Sequence, residues 1–128
     1  MESDKPVIVI VPGGFHKPIH YRKISGPLRD QGFDVVDIEL VACGDNPDPE
    51  LTAFDDAAVI SKKLDHLLDE GRKAVIVSHS YGSLPVSAVI EGRTVVERSE
   101  RGLKGGVSAV VSIGGVRISF SRQERYGT

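Results

Sequence analysis

Apolar and polar positions alternate along this chain in two kinds of segment. Short runs of β-branched residues occur at 6–11 (PVIVIV), 74–77 (AVIV) and 107–113 (VSAVVSI), and 33–40 (FDVVDIEL) carries Val35, Val36, Ile38 and Leu40. Runs this short, apolar on both faces, are the pattern of strands buried in a parallel sheet. Longer segments with helical spacing lie between them. Over 20–31, Ile24 and Leu28 share a face and Gly32 is a stop, while Gly26-Pro27 predicts a kink or two short pieces. A helix over 52–70 opens on the capping box Thr52-x-x-Asp55 and shows a broad face of Phe54, Ala58, Ile60, Leu64, Leu67 and Leu68 before Gly71. Residues 83–90 predict a third helix that ends before Gly92, and the charged stretch 94–101 predicts a short surface helix or loop.

The order is therefore strand, loop, helix, strand, loop, helix, strand, sharp turn, helix, strand. Such alternation predicts an α/β domain with a parallel sheet, right-handed crossovers and helices on both faces, a three-layer α-β-α arrangement. The 74–77 strand is expected inside the sheet. A four-stranded sheet is small, so one apolar edge is expected to be uncovered and available for self-association.

Composition narrows the partners. A chain of 128 residues suits one small domain, and 40% apolar with 27% charged residues is ordinary for a soluble protein. A net charge of −2 argues against nucleic acid or an anionic membrane as partner. No segment has the run of about 18 apolar residues that a membrane helix needs. The apolar run behind the charged N-terminus is too short for a signal-peptide core. Cys43 is the single cysteine, which excludes an intrachain disulfide and suits a reducing compartment, so a cytoplasmic protein is expected.

The candidate chemistry lies where the 74–77 strand ends. Ser78-His79-Ser80-Tyr81-Gly82 follows the strand at once, and a helix follows that. A serine at the apex of a strand–turn–helix, with small residues at minus two and plus two, is the layout of a nucleophile elbow. The apex backbone is strained and its neighbours are crowded, so Ser78 and Gly82 must be small. Upstream, the first strand runs into Pro12-Gly13-Gly14-Phe15-His16, a loop that lets backbone approach a ligand closely.

With these two motifs the chain resembles the α/β-hydrolase superfamily, in particular its small esterase-like members, over about residues 5–111. The resemblance implies a serine hydrolase of carboxylic esters that needs no cofactor and no metal, with a small ester or acyl compound as partner. Carried over by position, Ser80 is the nucleophile, and the backbone N–H groups of Gly14 and Tyr81 form the oxyanion hole. Phe15, His16 and His79 are candidates for lining the substrate pocket, and His79 is a packing and specificity residue rather than the base.

The resemblance also implies a triad running serine, acid, histidine along the chain. All four histidines, His16, His20, His66 and His79, precede Ser80, and Glu124 is the sole acid after Glu100. The expectation is therefore a shortened hydrolase domain over 1–115, lacking the triad acid and histidine and weakly active or inactive alone. Residues 116–128 are expected to be a divergent, disordered tail. A non-catalytic α/β module that binds an acyl ligand or a protein stays open as the alternative. A nucleotide-binding domain is disfavoured, since Gly13-Gly14 does not extend to GxGxxG and no phosphate loop occurs. His16 and His20 have metal-ligand spacing, but Pro18 disrupts the helix that would co-orient them and no acid completes HExxH. The acidic stretch 45–50 lacks the spacing of a calcium loop and is expected to be solvated.

Overall fold

The computed structural model describes residues 5–43 and 48–114. The elements follow in the order β1 (Val7–Val11), a 3₁₀ turn (Pro18–Tyr21), α1 (Arg22–Asp30), β2 (Val35–Asp37), α2 (Ala53–Asp69), β3 (Lys73–His79), a 3₁₀ turn (Ser80–Gly82), α3 (Ser83–Val89), α4 (Val95–Glu100) and β4 (Gly106–Ile113). The tail expected over 116–128 and part of the acidic stretch at 45–50 lie outside the described residues.

The four strands form one sheet in the order β2-β1-β3-β4, and every pairing is parallel. Strand β3 is interior, as the apolar run at 74–77 predicts. Alternate side chains go to opposite faces. On one face Val7, Val9, Val11, Ala74, Ile76 and Val107 pack with Ile60, Leu64 and Leu68 of α2 and with Val86 and Val89 of α3. On the other, Ile8 and Ile10 pack with Tyr21 and Leu28 from the α1 side. Helices thus cover both faces. Strand β4 is the exception: Val111 and Ile113, near its C-terminal end, are 48% and 46% exposed.

Three local expectations need correction. The break in the first helical segment falls at Tyr21, between the 3₁₀ turn and α1, and α1 runs through Gly26-Pro27 unbroken. The buried side of that segment is Tyr21, Ser25 and Leu28, with Ile24 facing solvent. On α2, Phe54 is 81% exposed and Ala58 is exposed, while Asp56 and Ala57 go inward with Ile60, Leu64 and Leu68. The capping box forms as predicted: Thr52 Oγ1 accepts from Phe54 N–H at 3.2 Å, and Asp55 Oδ2 accepts from Thr52 N–H at 2.7 Å.

Two arginines latch the segment after α3 onto α2. Arg93 makes a two-pronged contact with Asp65, at 2.8 and 3.0 Å. Arg98 is buried, although its stretch looked like a charged surface. Its guanidinium donates to Leu68 O at the C-terminal end of α2 and to Lys104 O in the loop before β4.

Candidate active site

Strand β3 delivers Ser80 to the C-terminal end of the sheet, where the chain turns directly into helix. Ser80 has φ of +50°, a left-handed conformation rare outside glycine, with a cost of about 1–3 kcal/mol that its surroundings must impose. The turn is tight because Gly82 lies against the end of β1. A Cβ on Gly82 would sit 2.5 Å from Pro12 O and 2.8 Å from Val11 O, which no side chain tolerates. The atoms nearest to that position belong to the end of β1 and to Pro12 after it. Ser78 is crowded separately. It is fully buried, with its Oγ 3.0 Å from Ser83 Oγ and 3.4 Å from Ser112 Oγ.

The glycine loop after β1 faces this turn. A Cβ on Gly14 would lie 3.6 Å from Tyr81 Cβ, so the loop and the residue after Ser80 are in contact distance. The amides on either side of Gly14 are engaged. Gly13 N–H donates to Tyr21 Oη at 2.8 Å, and Phe15 N–H donates to Cys43 O at 2.6 Å. Between them, the Gly14 N–H has no hydrogen-bond partner among the described residues. Phe15 is 65% exposed with φ of +63°, a second strained non-glycine residue in the same site.

Imidazoles gather on the glycine-loop side. His79 Nδ1 is 2.7 Å from Tyr21 Oη, and a Cβ on Gly13 would come within 2.9 Å of the same nitrogen. The Tyr21 hydroxyl thus accepts from Gly13 N–H and shares a second hydrogen bond with His79, whose direction is set by the tautomer of the ring. His16 donates from Nδ1 to Gly14 O at 2.7 Å, and its ring meets those of His20 and His79 edge to face at 5.4 and 5.7 Å. His79 thus lies against Tyr21 and His16 beside the loop. His66 stands apart, exposed on α2 and 3.9 Å from Glu70.

Two residues that the sequence reading missed shape the site. Tyr21 holds Gly13 and His79 together. Asp56, fully buried in the first turn of α2, accepts from the N–H groups of Val41, Ala42 and Cys43 at 2.6, 2.8 and 3.2 Å and from Tyr81 Oη at 2.9 Å. Burial and then the bond to Asp56 raise the pKa of the Tyr81 hydroxyl far above its usual value, so it is a fixed donor. A signal for Asp56 did exist: it lies one helical i, i+4 step before Ile60, Leu64 and Leu68.

Among the described residues no group of three or more His, Cys, Asp or Glu side chains is placed to hold a metal. An open groove lined by Val36, Val59, Lys62, Lys63, Asp65 and Leu67 shares no residue with the elbow or the glycine loop. No helix among the described residues is long and apolar enough to cross a membrane.

A model of the alpha/beta hydrolase family matches residues 8–124, nearly the whole chain and past the point at Gly115 where the sequence pattern weakens. The chain belongs to the alpha/beta hydrolase family. It is 31% identical over 109 residues to the alpha/beta hydrolase nvfD of Aspergillus novofumigatus, covering 85% of this chain and 41% of that protein. It is 32% identical over 126 residues to the Phoma sp. protein "Probable hydrolase R7", covering 96% of this chain and 48% of that one. The chain thus spans less than half the length of these curated relatives. Among solved structures it is similar to tomato methylketone synthase I complexed with 2-tridecanone, at 25% identity and a TM-score of 0.67, over 87% of this chain and 40% of that one. A polyneuridine aldehyde esterase mutant shares the fold, with a TM-score of 0.68 and 19% identity over 95% of this chain and 47% of that chain.

Proposed function

We propose that Ser80 is the nucleophile of a serine hydrolase acting on carboxylic esters, with the amides of Gly14 and Tyr81 receiving the oxyanion. The observation that carries this is the strained turn: Ser80 at φ +50°, with Gly82 against β1 and Gly14 against Tyr81. In this reading Ser80 Oγ attacks the ester carbonyl, and the carbonyl oxygen gains charge where the two amides donate. The N-terminal end of the helical turn at Ser80 adds partial positive charge. In this reading Phe15 and His16, exposed on the loop, line the approach to Ser80. The likeness to a synthase structure holding 2-tridecanone supports a carbonyl compound as ligand.

A serine hydroxyl needs a base. This chain has no histidine after Ser80, and it spans 41% and 48% of two hydrolase relatives. Both facts support the reading that these residues carry the nucleophile half of a hydrolase without the triad's acid and histidine. The 128-residue chain alone is then a feeble esterase, near the residual roughly 10³–10⁴-fold over water that binding and an oxyanion hole provide. The exposed Val111 and Ile113 at the sheet edge support self-association of the chain in this state.

The test is turnover of p-nitrophenyl acetate by the purified chain beside Ser80→Ala, with fluorophosphonate labelling as a second readout. A slow rate that falls on Ser80→Ala, with label on Ser80, is expected. Equal rates and no label would favour a non-catalytic acyl-binding module. A fast, Ser80-dependent rate would show that His16, His20 or another chain's histidine serves as base.

A further inference from the structure

We propose that Asp56 is a positioning residue that ties the Gly14 side of the oxyanion site to the Tyr81 side. This rests on the reading of Ser80 as nucleophile. The two sides come from distant parts of the chain, and something must hold them in register. Asp56 is the described residue that bonds toward both.

The Tyr81 side is tied directly. Tyr81 follows Ser80, and its hydroxyl donates to Asp56 Oδ2 at 2.9 Å. The phenol is thereby anchored away from the turn, and the ring cannot swing without breaking a bond to a buried carboxylate. The Gly14 side is tied through one intermediary. Asp56 accepts from three successive amides, those of Val41, Ala42 and Cys43. This fixes residues 41–43, and Cys43 O in turn accepts from Phe15 N–H at 2.6 Å. Phe15 is held at its strained φ of +63° by that bond. With Phe15 anchored on one side and Gly13 anchored to Tyr21 on the other, the Gly14 amide between them has a fixed direction.

The choice of a carboxylate follows from the count of donors. A buried charge is costly unless it is fully hydrogen-bonded. Three N–H groups and one O–H converge here, and no ion pair of Asp56 occurs among the described residues. Four donors match the four acceptor positions of an ionised carboxylate, two on each oxygen. An amide has two fewer, and its NH₂ would face two of these donors. An apolar residue would strand all four. Fixing the loop at residues 41–43 alone would need only the first three bonds. The fourth, to Tyr81, is what points to the elbow.

The experiment titrates phenylboronic acid, which adds to a serine Oγ as a tetrahedral oxyanion mimic, into the 128-residue chain. The Gly14 and Tyr81 amide resonances are followed in ¹H–¹⁵N spectra for the wild-type chain, Asp56→Asn, Tyr81→Phe and Ser80→Ala. We expect binding by the wild-type chain with both amides shifting, and none by Ser80→Ala. Asp56→Asn and Tyr81→Phe should bind about tenfold or more weakly, with smaller shifts at Gly14 and Tyr81. A purely structural role would lower the melting temperature and leave the affinity of the folded chain unchanged. If both variants bind as tightly as wild type, the positioning role is overturned while the nucleophile stands. If the wild-type chain does not bind, or Ser80→Ala binds equally, the nucleophile assignment fails and the positioning role falls with it. Should Asp56→Asn not fold, Tyr81→Phe decides alone, since it keeps the three backbone bonds.

Discussion

Gly82 and Pro12 meet with no room between them: a Cβ on Gly82 would lie 2.5 Å from the Pro12 carbonyl oxygen. The neighbouring atoms are backbone, at the end of a fully buried strand, so they have little freedom to move away. Gly82→Ala should therefore destabilise the fold by about 1–3 kcal/mol or more, as overpacking does. Thermal unfolding of the variant checks it. An unchanged melting temperature would mean that the turn and β1 can separate.

Ser78→Leu tests the other small position. Ser78 is fully buried beneath the turn, and its hydroxyl sits among those of Ser83 and Ser112. Leucine adds volume and leaves the Ser83 hydroxyl without this partner, so a loss of roughly 1–3 kcal/mol or more is expected. Ser78→Ala removes the hydroxyl without adding volume and should cost less. The order of the two denaturant midpoints separates crowding from hydrogen bonding.

The latch between Arg93 and Asp65 carries a pH dependence of defined sign. The hydrogen bond from Arg93 is the main cause that lowers the Asp65 pKa below its ordinary 3.8, and the same pairing raises that of Arg93. A carboxylate depressed on folding stabilises the protein above its unfolded pKa and loses that contribution as pH falls through its folded pKa. Wild type should thus exceed Asp65→Asn by about 0.5–1 kcal/mol near neutrality, the size expected for a part-exposed pair. The difference should shrink once the pH drops below 3.8. Urea unfolding of both chains across that range reads it; a difference that is constant with pH would remove the ion pair from the explanation.

The sheet was legible because its strands are written in uninterrupted β-branched runs. Val7–Val11 and the apolar core of Lys73–His79 need no knowledge of distant residues to be read. The Thr52–Asp55 capping box and the Ser80 turn are likewise local signals, closed within a few residues. What could not be read from the pattern depends on partners far along the chain. Periodicity treats a carboxylate as outward-facing, so it put Phe54 on the buried face of α2 in place of Asp56. Asp56 is inside because three amides from 41–43 and the Tyr81 hydroxyl are there to receive it. Arg98 is inside for the same kind of reason, since its donors meet carbonyls at the end of α2 and in the following loop. Tyr21 and His79 are 58 residues apart, and no spacing rule pairs them.

That pairing supplies the last prediction. The Tyr21 hydroxyl accepts a hydrogen bond from Gly13 N–H and shares a second with His79 Nδ1, inside a mostly buried corner. Tyr21→Phe keeps the ring that packs on Ile8 and Ile10 but leaves the Gly13 amide and the His79 nitrogen unpaired. A buried donor without a partner costs about 1–3 kcal/mol, so the melting temperature should fall accordingly. The loop would also lose the anchor on the Gly13 side, and fluorophosphonate labelling of Ser80 should slow. His79→Ala removes the second partner and leaves Tyr21 free to hold Gly13, so its effect on labelling should be smaller. In the double variant the two stability losses should sum to more than the measured total, because they share one hydrogen-bond chain. Strict additivity in that cycle would show that Tyr21 and His79 act on the loop independently.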